Sequence, residues 1–466
     1  MSVDYDLIVW GGSPAGTYGA VMAAQLRARV ALILPPETSH SYGFQDCLTL
    51  PLPLRQGQDG LNPIREDRTS YGRLCQWVQA GVETLALIDS PAALEQLGID
   101  LIQEPGEFEE KQGQIAIALS DRRLLSSAYL LSPETQPRVE IDGLASTGYL
   151  TPKTLASLES VPSSLAIIGS DPRGIEWAQL FQELGSQVTL ITEDERILPQ
   201  EEPEASDLIR GQLEALGVEV LRETQVTQGR SIEGQTWLQV ENRAIAVDRV
   251  LLVTPPALPF PAPTLELLGV DWTNQHLRVN HKLQTTNEKI YACGDILGGY
   301  SLPHLSLYEA KIATKNALLL PFFTLDYQQL PYTIYSTPTL ARVGLTEVGA
   351  RRRYGDKVQV IQEDLKTNPA AVLSGEITGF IKVIVQPDGT ILGATVLGIR
   401  AEEVIQSLSL AMRHRIKLQA LQESPGVFGS VSQLLTRVGD RWQLQQFHQS
   451  SWSQTLLKWW LSWKRG

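Results

Sequence analysis

The chain is poor in cysteine. Its 466 residues hold three, Cys47, Cys75 and Cys293. Three cannot build a disulfide framework, and an odd count suits a reducing compartment. No run of about 18 or more uncharged apolar residues occurs, so nothing reads as a bilayer-spanning helix. The opening MSVDYDLIVWGG is acidic ahead of its apolar run and lacks the basic start of a signal peptide; the expected location is the cytoplasm. The six histidines (His40, His276, His281, His304, His414 and His448) are scattered, none paired at metal-ligand spacing, and the cysteines do not join them. No metal site is expected. Basic residues are in deficit, 39 against 52 acidic for a net charge of −13. Phosphate is therefore repelled over most of the surface, and nucleic acid is not an expected partner. With 43% hydrophobic and 20% charged residues, disorder as the main state is excluded.

What is present has an order. At roughly 100–200 residues per domain, the length allows two to four domains. The apolar run LIVW ends at Trp10 and meets GGSPAG; a helix is expected over 17–29 and a strand over Val30–Leu34. The same unit recurs about 158 residues later, as LAII at Leu165–Ile168, then GSDPRG, then IEWAQLFQELG, then VTLIT at Val188–Thr192. This is a repeat at the scale of a domain. Between the two units, 71–97 reads as helical and 113–131 as strands around a turn at Ser120–Arg122. Arg243–Val253 reads as strand-like before Pro255-Pro256. KIYACGDI at Lys289–Ile296 runs from strand into turn, and Ser306–Leu320 has helical spacing. From Pro331 an α+β region follows, with strands Phe380–Gln386 and Ile391–Leu397 around Pro387-Asp388-Gly389 and a helix Glu402–Arg413.

In a dinucleotide fold the three glycines of G-x-G-x-x-G make the tight turn, admit phosphate to the backbone and let helix pack on strand. The helix N-terminus then faces the pyrophosphate. Here those positions are Gly11, Ser13 and Gly16, and the cofactor-binding candidates are Gly11, Gly12, Ser13, Ala15 and Gly16. Serine is small, and its hydroxyl can donate to phosphate. The end of the second strand, where a ribose acceptor is expected, is Leu34 followed by Pro35. In the second unit the triplet is Gly169, Asp171 and Gly174, with Gly169 and Gly174 as nucleotide-binding candidates. Asp171 would set a carboxylate against phosphate. At an effective dielectric of 20 that costs on the order of a few kcal/mol. Thr192 ends the second strand, with Glu193 next. Arg173 and Arg196 would favour a 2′-phosphate, but read more simply as solvated surface arginines.

With both units and KIYACGDI in view, the chain resembles the pyridine nucleotide–disulfide oxidoreductases, among them dihydrolipoamide dehydrogenase, glutathione reductase and mercuric reductase. The resemblance runs from about residue 4 to residue 440. It is carried by DYDLIVWGGSPAG, LGSQVTLITEDERILP, TTNEKIYACGDI, STPTLARVGLTEVGA and GFIKVIVQPDGTILGATVLG, in that order. It implies an α/β protein of two Rossmann-like dinucleotide-binding domains and a C-terminal α+β dimerisation domain. The implied FAD domain is split into 1–147 and 284–328. An NAD(P)-like domain spans 148–283, the dimerisation domain 329–440 and a tail 441–466. The implied assembly is a homodimer. Asp295 matches the aspartate that accepts a hydrogen bond from the flavin ribityl chain. The family's redox pair C-x-x-x-x-C falls on Cys47 and Leu52, so its second sulfur is missing. Its C-terminal histidine and glutamate fall on Phe428 and Gln433, which can neither shuttle a proton nor orient a cation by charge. No catalytic residue is assigned. The ATG segment that returns to the FAD domain reads Ser132-Pro133-Glu134, and a Gly-Arg pair closing the second domain reads Pro255-Pro256.

Two readings stay open at this point. One is an FAD-dependent oxidoreductase that cannot run dithiol–disulfide exchange and passes electrons to a quinone, oxygen or other small acceptor. The other is a non-catalytic dimeric scaffold or regulatory protein, with a membrane surface as one partner. FAD is the expected cofactor, and Asp171 argues against NAD(P).

The tail carries the membrane question. From Arg441 on there is no acidic residue, and Arg441, Lys458, Lys464 and Arg465 give +4, leaving −17 on the first 440 residues. Trp452, Leu456, Trp459, Trp460 and Trp463 follow i, i+4, i+7, i+8, i+11, one helical face that Leu457 and Leu461 widen. Tryptophan beside lysine and arginine fits an amphipathic helix on an anionic membrane surface. It equally fits packing within the chain or its dimer, with another protein partner as the third alternative.

Overall fold

The computed structural model describes residues 3–34, 70–111, 113–273, 275–449 and 451–465. Cys47 and Leu52 lie outside the described residues. The chain divides into two compact units, residues 1–197 with 213–326, and residues 198–212 with 327–466.

The first unit opens with β1 (Tyr5–Trp10), α1 (Pro14–Gln25) and β2 (Val30–Ile33). α1 starts three residues earlier than expected. Ser13 caps it, its hydroxyl accepting the Gly16 N–H, and Pro14 fits the first turn because no N–H is needed there. After α2 (Ser70–Ala86) the expected helix 71–97 breaks at Ser90-Pro91, where a short second helix begins. β3 (Ile99–Ile102), β4 (Glu107–Lys111), β5 (Gln114–Ala118) and β6 (Arg123–Leu131) follow. β3, β2, β1 and β6 lie side by side in parallel, and β2 is buried along its whole length, as a strand covered on both faces must be. β4 and β5 extend the start of β6 antiparallel, through the expected turn at 120–122.

The second copy of the motif is β7 (Ser164–Ile168), α3 (Pro172–Glu183) and β8 (Gln187–Ile191). Then come α4 (Pro203–Leu216), β9 (Glu219–Leu221), the antiparallel meander β10 (Val226–Ile232), β11 (Gln235–Val240) and β12 (Arg243–Val247), and β13 (Arg249–Leu252). The parallel order is β9-β8-β7-β13. Arg243–Val253 is thus two strands in different sheets. β14 (Ile290–Ala292) returns to the first sheet, parallel to β6, and leads through Asp295 to α5 (Pro303–Leu318).

The repeat is exact in its hydrogen bonds at the turn. Gly11 N–H donates to Ile33 O and Gly169 N–H to Ile191 O, both at 3.0 Å. Ser132 N–H donates to Trp10 O at 2.9 Å, as Val253 N–H does to Ile168 O at 2.8 Å. Gly11 and Gly169 have φ of 111° and 128°, and a Cβ on either would come within 2.5 Å of the backbone at Pro133 or Val253. Only glycine meets both conditions.

The second unit holds β15 (Tyr332–Ile334), β16 (Leu340–Gly344), α6 (Glu347–Tyr354), β17 (Gln359–Asp364), β18 (Phe380–Val385), β19 (Ile391–Leu397), α7 (Ala401–Arg413), α8 (Gln433–Gln449) and α9 (Ser451–Lys464). Its antiparallel sheet has the order β15-β16-β19-β18-β17. α7 covers it with Val404, Ile405, Leu408 and Ala411, and α8 with Leu434, Leu435, Val438 and Trp442. α8 runs straight through the expected boundary at 440, and Trp442, 4% exposed, belongs to this core.

Segment 198–212 brings Glu202 and Glu204 to this sheet, where Glu347 of α6 joins them. Lys382 on β18, 2% exposed, reaches Glu202 at 2.9 Å, Glu204 at 3.2 Å and Glu347 at 2.8 Å. A buried ammonium is tolerated only when paired in this way. Carboxylate oxygens of the three glutamates lie within 4.8 Å of one another, and Lys382 is the cation among them. Beside it Arg342 pairs with Glu201 at 2.8 Å.

Candidate functional site

The end of β1, the end of β6 and the turn after β14 meet in the first unit around a cavity of about 430 Å³. From α1 it is lined by Ser13, Pro14 and Ala15; from the segment after β6 by Pro133, Glu134 and Thr135; from the turn after β14 by Gly294, Asp295 and Ser301. Asp171 and Arg173, from the second glycine turn, also reach it. The first-turn candidates divide by role. Gly11 lies against Pro133 and Gly16 against the Gly11 carbonyl, and Gly12 is buried beside them. Ser13 and Ala15 face the cavity.

Ser13 does more than the spacing foretold. Besides capping α1, its hydroxyl shares a 2.7 Å hydrogen bond with Ser132. Ser132 in turn accepts from the Cys293 thiol at 3.3 Å. Burial pushes the Cys293 thiol up to about 12, so it remains protonated at neutral pH and cannot act as a nucleophile.

Asp295 accepts from Thr135 Oγ1 at 3.1 Å on one oxygen and from Ser301 Oγ at 2.7 Å on the other. A carboxylate offers about four lone-pair sites, so the group is oriented by two hydroxyls and keeps acceptor capacity toward the cavity. The turn that presents it is held by Glu309, which accepts the Gly294 N–H at 2.7 Å. Sequence reading did not find Thr135, Ser301 or Glu309; the pairing of β14 with β6 brings Thr135 to Asp295, the loop after the turn supplies Ser301, and α5 supplies Glu309.

The remaining charges on the cavity wall are paired. Lys153 meets Glu134 at 2.6 Å. Asp171 caps α3 by accepting the Arg173 N–H at 2.9 Å, and it also takes Nε at 3.1 Å and Nη2 at 3.2 Å of the same arginine. Arg173 is therefore no solvated surface arginine. It is about one-fifth exposed, ion-paired, and stacked 5.7 Å from the Trp177 ring centre. Gly169 and Gly174 both pack on Val253, away from the cavity wall. At the end of β8, Thr192 is buried and accepts the Asp194 N–H.

The residues fit a flavin dinucleotide at two points, the N-terminus of α1 for its phosphates and Asp295 for a polyol hydroxyl. They offer nothing at a third. Leu34 is fully buried, and its N–H donates to Ile102 O. The histidine- and glutamate-aligned positions lie in the other unit. Phe428 stands 82% exposed ahead of α8, and Gln433 begins that helix.

Comparison with known proteins agrees with this architecture. A family model described as pyridine nucleotide-disulphide oxidoreductase matches residues 90–315, and the dimerisation domain of the same family matches 330–435. The chain belongs to the pyridine nucleotide–disulfide oxidoreductase family. It is 29% identical over 440 residues to a mercuric reductase of Staphylococcus aureus, covering 90% of this chain and 79% of that protein. To a dihydrolipoyl dehydrogenase of Bacillus subtilis it is 27% identical, covering 88% and 92%. The solved structure of the HOCl-induced flavoprotein disulfide reductase RclA from Escherichia coli superposes with a TM-score of 0.77 at 24% identity, covering 94% of this chain and 99% of that one. That likeness is one of fold. The family's dimerisation domain suggests a homodimer. Among the described residues no helix is long and apolar enough to cross a membrane.

Proposed function

We propose that this family member is a flavoprotein oxidoreductase that holds FAD along α1 and Asp295 and does not work by dithiol–disulfide exchange. The observation that carries the reading is one cavity lined jointly by Ser13, Ala15 and Asp295. Bound flavin supplies redox chemistry of its own. The chain's part is to set the helix N-terminus against the phosphates, orient a hydroxyl through Asp295, and keep Cys293 out of the reaction. On this reading residues 1–147 and 284–328 form the FAD domain and 148–283 the NAD(P)-like domain, while the dimerisation domain runs from 329 through α8 and leaves α9 as the tail.

Two features support the loss of the ancestral reaction. Leu52 stands where the second redox sulfur would be, and Phe428 and Gln433 replace the acid–base pair. A third bears on the donor: the carboxylate of Asp171 occupies the N-terminus of α3, so Gly169 and Gly174 serve packing rather than NAD(P)H. Electrons then go from a donor other than NAD(P)H to a quinone, oxygen or another small acceptor.

Purification without added cofactor followed by a visible spectrum tests the first part, and flavin bands are the expected result. A colourless protein that takes up no FAD would leave the second reading, a non-catalytic scaffold or regulatory protein, which the outward tryptophan face of α9 favours. Anaerobic titration with NADH and NADPH tests the donor. Bleaching by either at micromolar concentration would overturn the closure by Asp171.

A further inference from the structure

α9 turns its apolar face away from the unit that carries it. At 3.6 residues per turn, Leu456, Trp459, Trp460 and Trp463 fall within an arc of about 100°. All four are exposed, Trp459 at 64% and Trp463 at 72%. The half-buried side chains described on the helix are Gln454 and Leu461, seven residues apart and nearly opposite that arc. Gln454 fixes this side by donating to the His448 carbonyl at 2.6 Å. A helix serving its own core would bury its tryptophans and expose its glutamine. Here the order is reversed, so the tryptophan face is directed at something else.

We propose that this face docks on an anionic lipid bilayer, with α9 lying in the interface. Charge selects the occupant. Arg441 is ion-paired with Glu363 on α8's own unit at 2.8 Å. That leaves Lys458, Lys464 and Arg465, none of which has a carboxylate partner among the described residues, and no acidic residue follows Asp440. Lys464 lies 5.0 Å from the Trp460 ring centre, at the border of the apolar arc, while Lys458 and Arg465 lie on the polar side. Tryptophan on one face and cations on the other is the chemistry of an interfacial helix. A second copy docked through the same face would bring Lys464, at the border of the arc, toward its equivalent with no carboxylate on the helix to pair it. The helix has 14 residues, about 21 Å of rise against a hydrocarbon layer of about 30 Å, so it lies on the membrane and does not span it.

The test is co-sedimentation of the full chain with vesicles of phosphatidylcholine alone and of phosphatidylcholine with phosphatidylglycerol. Binding is expected only to the mixed vesicles, with a blue shift of tryptophan emission and weakening as salt is raised. A chain ending at Gln449 keeps α8 whole and should lose binding. The surface variant K458Q/K464Q/R465Q, which leaves the core untouched, should weaken binding about fivefold for each charge removed, from about 1 kcal/mol per basic residue near the surface. Absence of binding to mixed vesicles, or equal binding by the shortened chain, overturns the proposal. So does a halved mass in solution on shortening the chain, because the face would then belong to a second copy.

Discussion

Asp171 folds its carboxylate back onto Arg173, accepting the backbone N–H at 2.9 Å and two guanidinium nitrogens at 3.1 and 3.2 Å. The N-terminus of α3 thus has an anion of its own, stabilised by the helix dipole that would otherwise attract phosphate. Asp171→Gly is expected to open the turn. Replacing a capping residue by glycine costs only a few tenths of a kcal/mol, so the fold should survive. Removing a carboxylate from beside phosphate should tighten NADH or NADPH binding at least tenfold. Anaerobic bleaching of the flavin, absent in the parent and present in D171G, is the readout. Unchanged titrations would mean that Asp171 is not what closes the site.

Asp295 gives a second prediction. A hydrogen bond to a charged acceptor contributes about 1.5–3 kcal/mol, so Asp295→Ala should weaken FAD binding roughly ten- to hundredfold in equilibrium dialysis. Thr135→Val should have a smaller effect in the same direction, because it removes one of two hydroxyls that orient the carboxylate without removing the charge. Full FAD retention in D295A would detach Asp295 from the cofactor.

Cys293 should be silent. Its thiol is fully buried and pushed up to about 12 by that burial, leaving a negligible thiolate fraction at pH 8. Alkylation at pH 8 followed by peptide mapping should leave Cys293 unmodified in the folded protein and modify it in urea. Cys75, half-buried and also shifted upward mainly by burial, should react slowly. Rapid modification of native Cys293 would reopen a thiol role for it.

The strand–glycine–helix–strand units were legible because backbone geometry leaves little choice at Gly11 and Gly169. The residues after them were harder to read. Ser13 and Asp171, judged against a glycine triplet, look like weakened phosphate contacts. Judged with the proline that follows each, they are helix starts, which is why α1 begins at Pro14 and not at 17. Asp295 was legible from its place after KIYACG, but its orienting hydroxyls were not, since Thr135 is 160 residues away and Ser301 follows in no recognisable pattern. The tail's face was visible in its period. That α8 crosses residue 440 was not, because the burial of Trp442 depends on a sheet that the local pattern does not encode. Lys382 hides most completely. Nothing in FIKVIV marks it as buried, because its partner Glu202 lies 180 residues away.

That buried cluster yields the last prediction. Lys382→Met would remove the cation shared by Glu202, Glu204 and Glu347, leaving Glu347 its ion pair with Arg351. Removing one partner of a buried pair typically costs about 3–5 kcal/mol, read as a fall in the urea midpoint at pH 7. The pH dependence has a definite sign. Burial pushes the Glu347 carboxyl up, but hydrogen bonds from Lys382 and Arg351 outweigh it and hold the group below its usual range. A depressed carboxylate adds stability above its unfolded value of about 4.3 and loses it as pH falls through the lower folded value. In K382M Glu347 loses one of the two cations that hold it down, so its folded value rises and acidification relieves the variant first. The gap between parent and variant should therefore be full at pH 7 and shrink as the pH approaches 4. A gap that stayed constant from pH 7 to 4 would show that the loss came from packing around the methionine and not from the missing charge.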